Sequence, residues 1–91
     1  TSKHARIKKE KILTYIRALE SYGTRIGAPV IKHIDGDIWE LRPLDNRILF
    51  CYWKDDTFVL LHHFIKKTQK TPLRDIEQAK RNLADFLESE G

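Results

Sequence analysis

Five ionisable side chains in the middle of the chain have the types and spacing for chemistry on a phosphate group. They are Glu40, Arg42, Arg47, His62 and Lys66. Guanidinium groups bind phosphate oxygens through paired hydrogen bonds, and a carboxylate, an imidazole or a lysine of lowered pKa can transfer protons. Such a set is suited to metal-free cleavage of an RNA phosphodiester, because attack by the 2′-hydroxyl needs a base, an acid and stabilisation of the developing charge. A face that only binds phosphate would use the same residue types.

Three predicted strands and two tight turns bring these side chains to one face of a sheet. The strands are predicted at 39–42, 47–53 and 58–65, with turn-forming residues at 43–46 and 54–57. Because side chains alternate along a strand and both turns have even length, Arg42 is expected opposite Arg47, and Trp53 opposite Phe58. Like charges opposed across strands repel. The arginine pair therefore indicates an anion site, unless the strands slip in register or the arginines splay into solvent.

The same alternation divides the apolar residues between the two faces of the predicted sheet. One face is predicted to be a hydrophobic core interrupted by His63, and consists of Trp39, Leu41, Ile48, Phe50, Tyr52, Val59, Leu61 and Ile65. The other face carries the ionisable cluster at one end and an apolar group at the other, formed by Leu49, Cys51, Leu60 and Phe64. Cys51 is expected to be a small buried apolar residue rather than a nucleophile or ligand.

Helices are predicted on both sides of these strands in the chain. The first spans 5–22 and ends before Gly23, and its core face carries Ala5, Ile12, Ile16 and Leu19. The last spans about 72–89, with Thr71 as N-cap and Pro72 as the first helical residue; its core face is predicted to carry Leu73, Ile76, Ala79, Leu83, Phe86 and Leu87. Residues 31–34 fit a short strand end. The order helix, three antiparallel strands, helix predicts an α+β fold.

Composition places the chain among small basic domains. Ninety-one residues with 41% hydrophobic residues form one domain, 1–91, and the net charge of +4 favours a polyanionic partner. A single cysteine, no apolar run of membrane-spanning length and no signal pattern predict a cytoplasmic protein with no membrane association. Since no glycine-rich phosphate loop, CxxC or HExxH motif is present, we expect no cofactor and no metal site.

Four sequence segments closely resemble the phage-derived branch of the RelE/HigB-type toxins, which belong to type II toxin–antitoxin systems. The segments are IWELRP, RILF, FVLLHHFIKKTQKTP and DIEQAKRNLADFL, and the resemblance runs from about residue 6 to residue 87. It implies a RelE-like (microbial-ribonuclease-like) α+β fold with an antiparallel sheet flanked by helices. It also implies metal-independent cleavage of messenger RNA on the ribosome, and a cognate antitoxin, commonly a helix-turn-helix protein of the HigA type, with a heterotetramer as one assembly.

The resemblance also implies roles for individual residues. Arg47 matches the arginine that contacts the scissile phosphate in the family, and Glu40 and Arg42 match polar positions of the preceding strand. Lys66 and Lys67 match the basic residues that end the last strand. With the histidine that this branch tends to carry, the expected catalytic set is Glu40, Arg42, Arg47, His62, Lys66 and Lys67. The expected RNA- or ribosome-binding set is Lys8, Lys9, Lys11 and Lys70, although lysines on the first helix also fit a solvated face.

The chain departs from the family pattern in two places. Other members complete the site with a tyrosine or histidine in the C-terminal region, and EQAKRNLADFLESEG contains no counterpart. Members also begin with a strand and a helix that are expected to be absent from this chain. The alternative function is a non-catalytic or gyrase-directed relative on the same fold, and a third is a phage structural or host-inhibition protein that only shares the family's sequence.

Overall fold

A four-stranded antiparallel sheet lies between two helices. The computed structural model describes residues 3–54 and 57–90. Its elements in chain order are α1 (Lys3–Tyr22), a short 3₁₀ turn (Gly23–Ile26), β1 (Ile31–Asp35), β2 (Ile38–Leu41), β3 (Asn46–Tyr52), β4 (Phe58–Ile65) and α2 (Leu73–Glu90). The strands are ordered β1-β2-β3-β4. The predicted α+β class is confirmed, and the short strand considered at 31–34 is a full fourth strand.

Helix α1 covers one face of the sheet. Leu19 of α1 is buried against Leu41, Ile48 and Phe50, and Ile12 and Ile16 pack on the same cluster, as predicted from the helical spacing. The side chain of Ala5, also predicted on this face, lies outside the described residues. The helix ends at Gly23, whose φ of 62° is the left-handed conformation expected just past a helix end.

Helix α2 covers the opposite face, so both faces of the sheet are buried. Ala79 of α2 packs with Leu49, Cys51 and Leu61, and burial of Cys51 is confirmed. The predicted core face of α2 is wrong at its two ends, because Leu73 and Leu87 are exposed. These two residues lie in the first and last turns of α2. In the described part of the chain, no helix is long and apolar enough to cross a membrane.

The hairpin of β2 and β3 has the predicted register. Leu41 lies opposite Ile48, and continuing this register places Arg42 opposite Arg47. The turn between the strands is closed by a hydrogen bond of 3.0 Å from the Asn46 N–H to the Pro43 carbonyl. The strands therefore do not slip in register, and a slipped register no longer explains the two opposed arginines.

The hairpin of β3 and β4 departs from the predicted register in its first half. Tyr52, not Trp53, lies opposite Phe58. The Trp53 N–H bonds instead to the Thr57 carbonyl at 2.7 Å, which shortens the predicted loop 54–57 by one residue. Residues 55 and 56 of the predicted turn lie outside the described residues. An irregularity follows, at which Phe50 pairs with Leu60 but Leu49 pairs with His62, so that Leu61 is an extra residue, a β-bulge.

Because of the bulge, three residues of β4 lie on the opposite face of the sheet from the one predicted. Val59 and Leu61 pack in the cluster beneath α2 rather than the one beneath α1. Leu60 lies across from Phe50, on the α1 side, where it is about half exposed. Beyond the bulge the predicted pairing is restored, because the extra residue in β4 compensates for the shorter loop.

Candidate functional site

A narrow cleft lies between the β2–β3 hairpin and residues 66–72, which we call the basic segment. Its walls include Glu40, Arg42 and Arg47 on the α2 side of the sheet, and the whole basic segment. The enclosed volume is about 10 Å³, which is close to the space that one water molecule needs. The cleft therefore admits a single small group, such as a phosphate oxygen.

A buried carboxylate at the centre of the cleft holds the arginine pair together. Glu40 is 2% exposed. Its Oε2 accepts a hydrogen bond of 2.6 Å from the Thr71 hydroxyl, and its Oε1 lies 3.5 Å from Arg42 Nε and 3.9 Å from Arg47 Nε. One negative charge between two positive ones offsets the repulsion that opposed arginines would otherwise feel.

Arg47 is part of the hairpin as well as of the cleft. It is 7% exposed, and its Nη1 donates to the carbonyls of Leu44 at 2.8 Å and Asn46 at 2.7 Å. Burial, and after it the charge of Arg42, lower the pKa of Arg47; arginine starts so high that the group stays charged at neutral pH. Arg47 thus supports the turn that presents the cleft, in addition to any contact with an anion.

Arg42 is the more accessible member of the pair. Its side chain is 26% exposed. The Nε atom is itself buried and has no hydrogen-bond partner in the described part of the chain, since 3.5 Å is a loose ion-pair distance. An external oxygen atom would therefore meet the exposed part of the Arg42 guanidinium and not its Nε atom.

The basic segment contributes lysines to the same cleft. The Lys66 N–H donates to the Asp45 carbonyl at 2.7 Å, which fixes the start of the segment beside the hairpin turn. Lys66, Lys67 and Lys70 all line the cleft. Lys32 also lines the cleft and pairs with Glu40 across β1 and β2, and it was not predicted from the sequence. Treating residues 31–34 as a full strand would have found it.

His62 is not brought into the cleft. It points to the α2 side, as predicted, but buried Leu49 lies between it and Glu40 across the sheet. A hydrogen bond of 2.7 Å joins its Nε2 to Asp75 Oδ1 in the first turn of α2, and its ring stacks on Phe64. Asp75 was not identified from the sequence. Its hydrogen bond with His62 connects β4 to α2. His63 points to the other face, as predicted, and bonds to Asn46 Oδ1 at 2.9 Å.

Thr71 does not cap α2 as predicted. Its hydroxyl bonds to Glu40, and α2 begins at Leu73 instead of Pro72. The Pro72 carbonyl accepts from the N–H groups of Asp75 and Ile76 at 3.0 and 3.2 Å. A buried carboxylate that needs a donor outweighs the local capping preference, because an unsatisfied buried charge is costly.

The lysines of α1 lie on the other side of the sheet from the cleft. Lys9 and Lys11 are exposed, and Lys11 Nζ sits 5.6 Å from the centre of the Tyr15 ring. Lys8 belongs to α1, but its side chain lies outside the described residues. The structure thus brings Glu40, Arg42, Arg47, Lys66, Lys67 and Lys70 together and leaves Lys9, Lys11 and His62 elsewhere. Among the residues described, no three His, Cys, Asp or Glu side chains are grouped so that they could hold a metal ion.

Comparison with known families identifies the chain. Residues 3–84 match the model of the family described as phage-derived protein Gp49-like (DUF891), which is a toxin-like family. A comparison with curated proteins gives no match. Because the match covers nearly the whole chain, this protein belongs to the Gp49-like family of phage-derived, toxin-like proteins.

Proposed function

We propose that this chain is a RelE/HigB-type toxin that cleaves messenger RNA on the ribosome without a metal ion. The observation that carries the proposal is the cleft, where a buried glutamate holds two arginines side by side and lysines surround them. Membership of a toxin-like family supports the same proposal. In this proposal, the scissile phosphate binds at the mouth of the cleft, and translation is inhibited because the message is cut.

The size and charge of the cleft favour contact with the RNA backbone. A space of about 10 Å³ excludes a nucleobase, whereas a phosphate oxygen fits between cations. Arg42 and the lysines of the basic segment would neutralise the charge that develops on phosphorus, and removing one such donor from a preorganised site typically lowers the rate about 10²–10³-fold. Because phosphate contacts carry no direct sequence information, any codon preference would arise outside the cleft.

The groups that would transfer protons are fewer than the sequence suggested. Both oxygens of Glu40 already have partners, and His62 is bonded to Asp75 outside the cleft. The lysines of the basic segment remain. This shortage favours a second candidate function, a non-catalytic or gyrase-directed relative that uses the same cleft only to bind phosphate.

Replacing Arg42 with alanine tests the proposal. The variant should stay folded, because Arg42 is partly exposed, and should lose growth inhibition and message cleavage by about 10²–10³-fold. Arg25→Ala is the matched control, since Arg25 is exposed and bonds only to the Tyr22 carbonyl in the part of the structure described. Primer extension on translated messages reads cleavage directly. A folded Arg42→Ala protein with wild-type toxicity would refute the proposal, and growth arrest by the wild type without cut messages would favour the second candidate.

We also propose that a cognate helix-turn-helix antitoxin of the HigA type holds the toxin inactive by binding away from the cleft, in an assembly such as a heterotetramer. A segment laid over the basic segment would need an apolar platform beside it, but α2 already covers Leu49 and Cys51. Under remote binding, alanine at Lys66, Lys67 and Lys70 together should leave antitoxin affinity unchanged and reduce RNA affinity and its salt slope. Titration at two salt concentrations measures both, and a large loss of antitoxin affinity would instead support direct cover of the basic segment.

A further inference from the structure

One hydroxyl joins three parts of the molecule at the cleft. Thr71 is the last residue of the basic segment before Pro72, whose carbonyl begins the hydrogen bonding of α2. Its Oγ1 donates to Glu40 Oε2 at 2.6 Å, across 31 residues of sequence. The basic segment, the start of α2 and the carboxylate between the arginines therefore meet at this bond.

The bond decides which way the Glu40 carboxylate faces. The terminal torsion of a glutamate side chain is soft, so it does not select one orientation by itself. With Oε2 anchored by Thr71, Oε1 lies between Arg42 Nε and Arg47 Nε and serves both. Without the anchor, the carboxylate is free to turn and form a two-point pair with Arg42, the geometry that guanidinium and carboxylate prefer.

We infer that Thr71 is a positioning residue of the cleft, which keeps Glu40 shared between the two arginines and so keeps Arg42 available to an RNA phosphate. The inference rests on the proposed function, because it names the residue that prepares the same site. Thr71 acts through Glu40 and not by touching the reacting atoms. Its loss should weaken RNA binding by letting an internal carboxylate compete with the phosphate for Arg42.

The test compares three substitutions and measures binding of a short single-stranded RNA. Thr71→Val removes the hydroxyl at nearly constant shape, and Thr71→Ser retains it. Thr14→Val is the control, because the Thr14 hydroxyl bonds only within α1, to the Glu10 carbonyl, in the structure as described. The dissociation constant for RNA should rise roughly tenfold in Thr71→Val, because the phosphate must then displace a hydrogen bond between Glu40 and Arg42, and a hydrogen bond between charged groups is worth about that factor. It should stay within about threefold of wild type in the other two.

A second readout separates positioning from general damage to the fold. The NMR signal of the Arg42 Nε–H group should shift in Thr71→Val and remain at its wild-type position in Thr71→Ser. Thr71→Ala removes the same hydroxyl and replaces the valine variant if that protein does not fold. Unchanged RNA affinity and an unchanged Arg42 signal in the folded hydroxyl-free variant would overturn the inference, as would equal losses in Thr71→Val and Thr71→Ser. Failure of the wild type to bind RNA would instead overturn the proposed function.

Discussion

Replacing Glu40 with glutamine should strongly destabilise the fold, although the new side chain has almost the same shape. The substitution removes the one negative charge that lies between Arg42 and Arg47. Arg47 cannot turn outward to regain water, because it is 7% exposed and its guanidinium supports two carbonyls of the hairpin turn. The glutamine amide would also place either its uncharged carbonyl oxygen or its NH₂ group beside the two cations.

The size of the effect follows from the distances. At an effective dielectric constant of about 20, unit charges at the observed 3.5 and 3.9 Å attract by roughly 5 and 4 kcal/mol. Desolvation of a carboxylate that is 2% exposed offsets much of this gain, so the intact cluster adds little net stability. Removing one member of a buried cluster nevertheless costs about 3–5 kcal/mol. Because Arg42 is 26% exposed and partly screened by solvent, we expect the lower end of that range.

Thermal melting measures this cost. For a domain of this size each kcal/mol lowers Tm by about 4–8 °C, so Glu40→Gln should melt at least roughly 12 °C below wild type. Glu77→Gln, an exposed change on α2, is the control. Inorganic phosphate should raise the Tm of Glu40→Gln more than that of wild type, since the uncompensated arginines bind it and binding stabilises the folded state. If Glu40→Gln melts within about 2 °C of the control, the carboxylate does not compensate the arginines.

Three further outcomes are expected. Phe50→Ala should cost about 3–5 kcal/mol in urea unfolding and Trp39→Ala less, because Phe50 is fully buried and Trp39 only partly; equal costs would contradict this. Burial, and then the charge of Asp37, raise the pKa of Cys51, so Ellman's reagent should label the thiol only as the protein unfolds. The stability that the protonated thiol contributes to the fold should be lost as pH rises through the raised pKa. A hydrogen bond from Lys80, and then its charge, lower the pKa of Asp35. The contribution of this ion pair to stability is therefore present above the ordinary aspartate pKa and lost as pH falls below it. An Asp35 titration unchanged by Lys80→Ala would refute Lys80 as the cause.

The β2–β3 hairpin could be predicted from the sequence, whereas the register of β4 could not. An even turn and clear alternation fixed Leu41 opposite Ile48. In β4, Val59, Leu60 and Leu61 are all apolar, so either parity buries hydrophobic surface and the pattern contains no signal for the bulge. The shorter loop could not be predicted either, because it depends on a backbone hydrogen bond from Trp53.

The arginine pair of the candidate site was predictable because alternation on two short strands suffices to place it. The contacts of Thr71 with Glu40 and of Asp75 with His62 join residues 31 and 13 positions apart. Both depend on where the start of α2 packs on the sheet, which no local pattern encodes. A threonine at this position normally caps a helix, but the Thr71 hydroxyl instead satisfies the buried Glu40 carboxylate, which would be costly to leave without a donor.

The extra residue at Leu61 also makes β4 a poor template for strand pairing between molecules. In the described part of the chain, β4 is one of the two edge strands, and its far side pairs with no other strand. An uninterrupted eight-residue border of this kind, rich in apolar side chains, would invite addition of a foreign strand and aggregation. The bulge divides it into residues 58–60 and 62–65 and adds local twist. An incoming strand could align with only three or four residues at once, fewer than a typical strand uses.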